Sequence, residues 1–268
     1  MTKITRGLRD ARPNRSRYLA RPPPPPLARE YALFLDIDGT LAEFAATPRE
    51  VRIDEQLIQA LPALRTRHGG AVALVTGRSI GDVDRMFPEL DIPVAGQHGC
   101  ERRDASGILH LHASDPTILK KLRELFAAFA DRHPGLLLED KGATVALHYR
   151  QLPELAGEVQ SVTRSAFDAA GAQGYLLGEG KQLVEIRPDS RDKGKAIVDF
   201  MGEPPFSGRM AVFVGDDVTD EDGFAAVNLM QGWTVKVGSG RTCAQYRLPD
   251  IATARHWLLA GVASEPGA

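Results

Sequence analysis

The chain has 268 residues, is 43% hydrophobic and carries a formal net charge of −2, enough to bury a sizeable core in one large or two modest domains. Its longest apolar runs reach five to seven residues, far short of the roughly 20 that span a bilayer, and no charged-then-apolar leader opens it, so a cytoplasmic globular protein is expected. Two isolated cysteines, Cys100 and Cys243, exclude a disulfide scaffold.

Charge is uneven along the chain. Residues 1–30 hold eight Lys or Arg (Lys3, Arg6, Arg9, Arg12, Arg15, Arg17, Arg21, Arg29) against Asp10 and Glu30, about +6, which leaves about −8 for the remainder. Few apolar side chains and the run Pro22–Pro26 predict a disordered basic arm over 1–30, ending in a stiff polyproline segment. Only Tyr18 interleaves with the basic residues, so a solvated tail is expected rather than one that stacks on nucleic acid.

From Tyr31 onward, strand-like and helix-like segments alternate, which predicts an α/β protein with a doubly wound, Rossmann-like parallel sheet. Strands are expected at 32–36, 72–75, 94–95, 211–214 and 234–237, and helices at 54–66, 80–86, 193–200, 221–228 and 251–259. The middle reads differently: helices at 115–131 and 153–170 with strands at 136–140, 144–149 and 183–187 predict a smaller α/β unit with antiparallel pairing. This cap, over 111–187, divides the core into 31–110 and 188–268. An insertion between two halves of a catalytic core is expected to sit over the site as a lid.

The chemistry is concentrated at strand ends. Asp36-Ile37-Asp38-Gly39-Thr40 follows the apolar run Tyr31–Leu35; the strand pleat sends Asp36 and Asp38 toward one side, and Gly39 permits a sharp turn whose N–H groups would face an anion. Gly215-Asp216-Asp217-Val218-Thr219-Asp220-Glu221-Asp222 follows a second strand. Carboxylates this dense repel one another unless a cation joins them, and an all-oxygen donor set favours Mg²⁺ over zinc. Two further signals are Thr76-Gly77-Arg78 after Val72–Val75 and Lys193 in Arg191-Asp192-Lys193-Gly194. Taken alone, Thr76 would serve as a helix N-cap and Lys193 as a solvated first-turn lysine.

In order and context these four segments resemble the haloacid dehalogenase superfamily of phosphatases, from about Tyr31 to Leu259. The resemblance implies that Asp36 attacks phosphorus and that Asp38 protonates the leaving oxygen and then activates water. It also implies that Thr76 and Lys193 bind the phosphoryl group. Asp36, the Asp38 carbonyl and Asp216 would hold Mg²⁺, with Asp217 and Asp220 as outer candidates.

Gly215 to Phe224, Gly96-Gln97-His98-Gly99-Cys100-Glu101, Glu139-Asp140-Lys141-Gly142, Ala146-Leu147-His148-Tyr149-Arg150 and Gly180 to Pro188 are together similar to the trehalose-6-phosphate phosphatase family. A sugar with many hydroxyls needs donors and acceptors on rigid elements. Glu139, Lys141, Arg150 and Glu185 are the sugar-contact candidates, with Lys181, His148, Arg78 and, more remotely, Glu101 beside them; the alternative for Arg150 and Glu185 is a structural salt bridge, and for His148 a packed position near a strand end. As the resemblance implies, the expectation is a monomeric, Mg²⁺-dependent phosphatase that hydrolyses trehalose 6-phosphate to trehalose and phosphate through an aspartyl-phosphate. Its alternatives are a phosphatase for a sucrose or mannosyl phosphate, a phosphomutase on the same core, and a non-catalytic sugar-phosphate sensor.

Overall fold

The computed structural model describes residues 21–88, 90–112 and 116–263. The basic part of the expected arm, residues 1–20, lies outside them. Pro22–Pro26 is no free spacer. Prolines have no N–H, but their carbonyls remain strong acceptors. Pro22 O takes the Arg247 N–H (3.0 Å) and Pro25 O takes the Trp257 indole N–H (2.9 Å). Leu27 follows, buried in the main core.

The large sheet is built on β1 (Tyr31–Leu35), all five residues of which are buried. Such a strand is covered on both faces and reads as a continuous apolar run. The pleat then divides it: Leu33 and Leu35 enter one core cluster, Ala32 and Phe34 the opposite one. β2 (Val72–Val75) and β10 (Met210–Gly215) flank it and divide in the same way. With β3 (Val94–Gly96), β4 (Glu101–Arg103), β5 (Leu109–Leu111), β11 (Trp233–Val237) and β12 (Tyr246–Leu248), the spatial order is β12-β11-β10-β1-β2-β3-β4-β5. Pairing is parallel from β12 to β3 and antiparallel at β4 and β5.

Helices α1 (Glu55–Arg67), α2 (Ile80–Met86) and α7 (Ile251–Ala263) bury their apolar stripes on one face. Helices α5 (Lys193–Met201) and α6 (Asp220–Leu229) cover the other with Ile197, Phe200, Phe224 and Val227.

Between β5 and α5 the chain forms a second sheet, in the order β6-β7-β9-β8, from β6 (Leu137–Asp140), β7 (Val145–His148), β8 (Tyr175–Gly180) and β9 (Leu183–Pro188). All its pairs are antiparallel. One face carries Val145, Leu147, Val184 and Ile186 into a third core, with Leu122 and Phe126 of α3 (Pro116–Ala130) and Val159 of α4 (Ala156–Ala170). Strand alternation sends the residues between them to the other face. Glu139, Ala146, Glu185 and Gly178 therefore stand in one row across the four strands.

Four strands were not anticipated. β4 carries charge at every position; β5 is an exposed edge; β8 holds Gly178 and Gly180, which weaken strand propensity; and β12 hides an arginine between two apolar residues.

Candidate active site

Because β1, β2, β3 and β10 run parallel, the residues just past their C-terminal ends gather on one rim, where open α/β sheets place their sites. Asp36 continues the ladder, its N–H on Val214 O at 3.0 Å. Its carboxylate is 4% exposed: Oδ1 accepts from Lys193 Nζ at 2.7 Å and Oδ2 from the Thr40 hydroxyl at 3.3 Å. Lys193, the first residue of α5, also donates to Asp220 Oδ1 at 2.7 Å. Burial alone would lower the ammonium's pKa, but Asp220 and Asp36 on either side raise it. Burial raises the pKa of Asp36 well above the carboxylate range; Lys193 opposes this, and Asp220 and Asp216 add to it.

Gly39 turns the chain with φ +82°, and a Cβ there would lie 2.0 Å from Asp216 Oδ2, so only glycine lets the two loops meet. The turn closes on itself. Gly39 N–H donates to Ala42 O (2.8 Å) and Thr40 N–H to Ile37 O (3.2 Å), so neither is free to face an anion as the sequence led us to expect.

Asp38 does not touch Lys193. Both of its oxygens are held by Arg78, Nε to Oδ2 and Nη2 to Oδ1, each at 2.6 Å, and Arg78 Nη1 is anchored on Pro48 O at 3.0 Å. Thr76 is buried at the end of β2; its Oγ1 accepts the Arg78 N–H (3.2 Å), and its own proton remains to donate.

Oxygens of Asp36, Asp216 and Asp220 lie within 4.8 Å of one another. These hard donors fit Mg²⁺, and Asp216 Oδ1 is buried without a hydrogen-bond partner, an orphaned acceptor that a cation would satisfy. Asp220 is already committed, Oδ1 to Lys193 and Oδ2 to the N–H groups of Asp216 and Asp217 at 2.9 Å each. Asp217 stands outside this cluster; its backbone rather than its carboxylate faces Asp220, while its side chain lines the cleft.

Above the rim, the polar face of the second sheet closes a cavity of about 480 Å³ lined by Asp36, Asp38, Arg78 and Lys193 below and Glu139, Lys141, Arg150, Lys181 and Glu185 above. The two sides touch. Lys141 Nζ donates to Glu185 Oε1 (2.9 Å) and across the cleft to Gly77 O (3.0 Å). His98 Nε2–H donates to Glu185 Oε2 and His148 Nε2–H to Glu139 Oε2, both at 2.8 Å. Burial would raise the Glu185 pKa, yet Lys141 and His98 hold it well below the carboxylate range. Arg150 donates to Ala45 O, and Lys181 reaches Asp216 Oδ2.

The sequence reading gave Gln97, His98 and Lys236 no role of their own. Gln97 and His98 adopt left-handed φ of 48° and 57°, strain that is held where the surroundings over-determine it: Gln97 Oε1 accepts the N–H groups of Ala143 and Thr144 at 3.1 Å each. Lys236 donates to Asp216 O. Glu101, considered for sugar contact, instead accepts the Ile80 N–H at 2.7 Å and so caps the start of α2.

A doubly wound sheet with carboxylates after its first strand, a lysine at a later helix start and a second acidic loop is the phosphatase arrangement that the sequence resemblance implied, and the comparisons with known proteins give a phosphatase family. The trehalose-phosphatase family model matches residues 34–251. The chain is 40% identical over 234 residues to trehalose-6-phosphate phosphatase of Escherichia coli K12, covering 87% of each chain. It is 44% identical over 208 residues to a probable trehalose-phosphate phosphatase of Sinorhizobium fredii, covering 78% of each. The C-terminal domain of Candida albicans trehalose-6-phosphate phosphatase shares the fold, with TM-score 0.80 over 91% of this chain and 98% of that one at 20% identity. The chain belongs to the trehalose-phosphatase family of phosphoric monoester hydrolases. Among the described residues no helix is long and apolar enough to cross a membrane.

Proposed function

We propose that the protein hydrolyses trehalose 6-phosphate to trehalose and inorganic phosphate by way of an aspartyl-phosphate on Asp36. The observation that carries this reading is the juxtaposition in one cleft of a buried Asp36–Lys193 pair with a polar wall of Glu139, Lys141, Arg150 and Glu185. The first supplies phosphoryl chemistry and the second the donors and acceptors a disaccharide needs.

A carboxylate attacking a phosphate dianion meets repulsion that positive charge must offset. Lys193, fixed by Asp220, supplies part of it, and the Thr76 hydroxyl is placed to donate to a phosphoryl oxygen. Asp36, Asp216 and the Asp38 carbonyl would hold Mg²⁺, which when bound supplies further charge stabilisation. As an Asp36 oxygen bonds to phosphorus, the bond to the sugar oxygen breaks and Asp38, protonated on an oxygen that Arg78 has released to the substrate, gives the sugar oxygen its proton. Asp38, now a carboxylate, takes a proton from water as the water attacks phosphorus, and the Asp36 carboxylate is released. Glu139, Lys141, Arg150 and Glu185 orient the sugar, and the cap excludes other water while the acyl phosphate exists.

Two variants test the route. Asp36→Asn should fold and lose turnover. Asp38→Asn, given an aryl phosphate whose leaving group needs no proton, should accumulate a phosphoryl group on the peptide containing Asp36, read by mass spectrometry. Turnover in the first variant, or phosphorylation of another residue in the second, would overturn it.

A further inference from the structure

Phe44 lies four residues past the Asp36–Thr40 turn, on the core side of the cleft, and is 39% exposed although fully apolar. Leaving such a ring half in water forgoes burial energy, so its surroundings matter. Two cations of the cap meet it: the Lys181 ammonium is 4.5 Å and the Arg150 guanidinium carbon 5.2 Å from the ring centroid. Both distances fall within the range in which a ring quadrupole attracts a cation. Arg150 follows β7 and Lys181 sits in the turn between β8 and β9, so one ring collects the ends of two cap hairpins. Arg150 has independent anchors on Ala45 O and Lys181 O (3.4 Å). Among the described residues the Lys181 ammonium pairs with the Asp216 carboxylate besides the ring, and its side chain is 46% exposed.

We infer that Phe44 is a positioning residue for sugar recognition, its aromatic face fixing the Lys181 and Arg150 cations at the cleft mouth where they meet the sugar phosphate. The inference rests on the sugar-phosphatase reading. It makes the quadrupole, not the bulk, the operative property. An aliphatic residue of similar volume would keep the contact area and lose the attraction, leaving a lysine and an arginine with more rotamers to freeze on binding.

The experiment compares Phe44→Leu, Phe44→Tyr and Phe44→Trp with the wild type in the full chain, measuring KM and kcat for trehalose 6-phosphate and for an aryl phosphate. Phe44→Leu should raise KM for the sugar ester about three- to tenfold, lowering the sugar-to-aryl ratio of kcat/KM. The Tyr and Trp variants should restore that ratio. A ratio unchanged in Phe44→Leu, or lowered equally in Leu, Tyr and Trp variants, would overturn the role. A wild-type enzyme active on the aryl ester but on no sugar phosphate would overturn the functional reading and this role with it, and is recognised because it needs no variant to appear.

Discussion

Arg78 grips the Asp38 carboxylate with two hydrogen bonds of 2.6 Å while its third nitrogen is tied to Pro48 O. A guanidinium presents two parallel donors at the spacing of a carboxylate; an ammonium cannot. The pair thus sets the direction in which Asp38 points. Arg78→Lys keeps the buried charge but loses the fork, and kcat on the sugar ester should fall about 10- to 100-fold, a part of what general acid–base catalysis contributes. Steady-state kinetics with a folded variant checks it; unchanged kcat would show that Asp38 is oriented by something else.

Glu185 links the four-stranded sheet to the large one, accepting from Lys141 at 2.9 Å and from His98 at 2.8 Å. Glu185→Gln is nearly isosteric yet leaves Lys141 with a weaker partner and gives any sugar hydroxyl an amide in place of a carboxylate. The sugar ester should lose about 10-fold or more in kcat/KM and the aryl ester clearly less, since a mismatched buried polar contact costs on the order of 1–3 kcal/mol. Equal losses on both esters would assign Glu185 to the fold rather than to recognition.

His68 gives a pH signature far from the chemistry. It is fully buried; its Nδ1–H donates to Tyr31 O at 3.0 Å and Nε2 has no partner. Burial lowers its pKa below 6.5. Below that pH the unfolded chain binds a proton that the native state does not, so stability is present above pH 6.5 and is lost as pH falls through the window beneath it. One such group contributes up to about 1.4 kcal/mol per pH unit. Urea denaturation of wild type and His68→Leu at several pH values isolates it: the wild type should show the steeper acid slope, and parallel slopes would refute the assignment.

The docked prolines add to stability as well. A chain beginning at Leu27 lacks the acceptors at Pro22 and Pro25 that a chain beginning at Arg21 retains. Two hydrogen bonds at about 1 kcal/mol each should separate the melting temperatures by several degrees; coincident melting curves would show that the contacts add nothing.

What the sequence disclosed follows from the range of each signal. β1 was legible because burial on both faces makes a run of five apolar residues, and the two acidic loops were legible because turn and carboxylates are neighbours in the chain. Glu139 and Glu185 could be named, but their common row depends on the β6-β7-β9 register, which residues 46 apart do not announce. The Gln97 bond to Thr144 spans 47 positions, and Phe44 carries no motif at all; it matters only because Arg150 and Lys181 fold onto it. β8 was hidden by its glycines, and the role of Pro22–Pro26 by a composition that usually marks a spacer.

The central claim is tested most directly by phosphate release from trehalose 6-phosphate beside sucrose 6-phosphate, glucose 6-phosphate and an aryl phosphate, each with Mg²⁺ and with EDTA. The account predicts that trehalose 6-phosphate has the highest kcat/KM by a wide margin and that EDTA abolishes its turnover. A higher kcat/KM for another sugar ester, or full activity in EDTA, would contradict it.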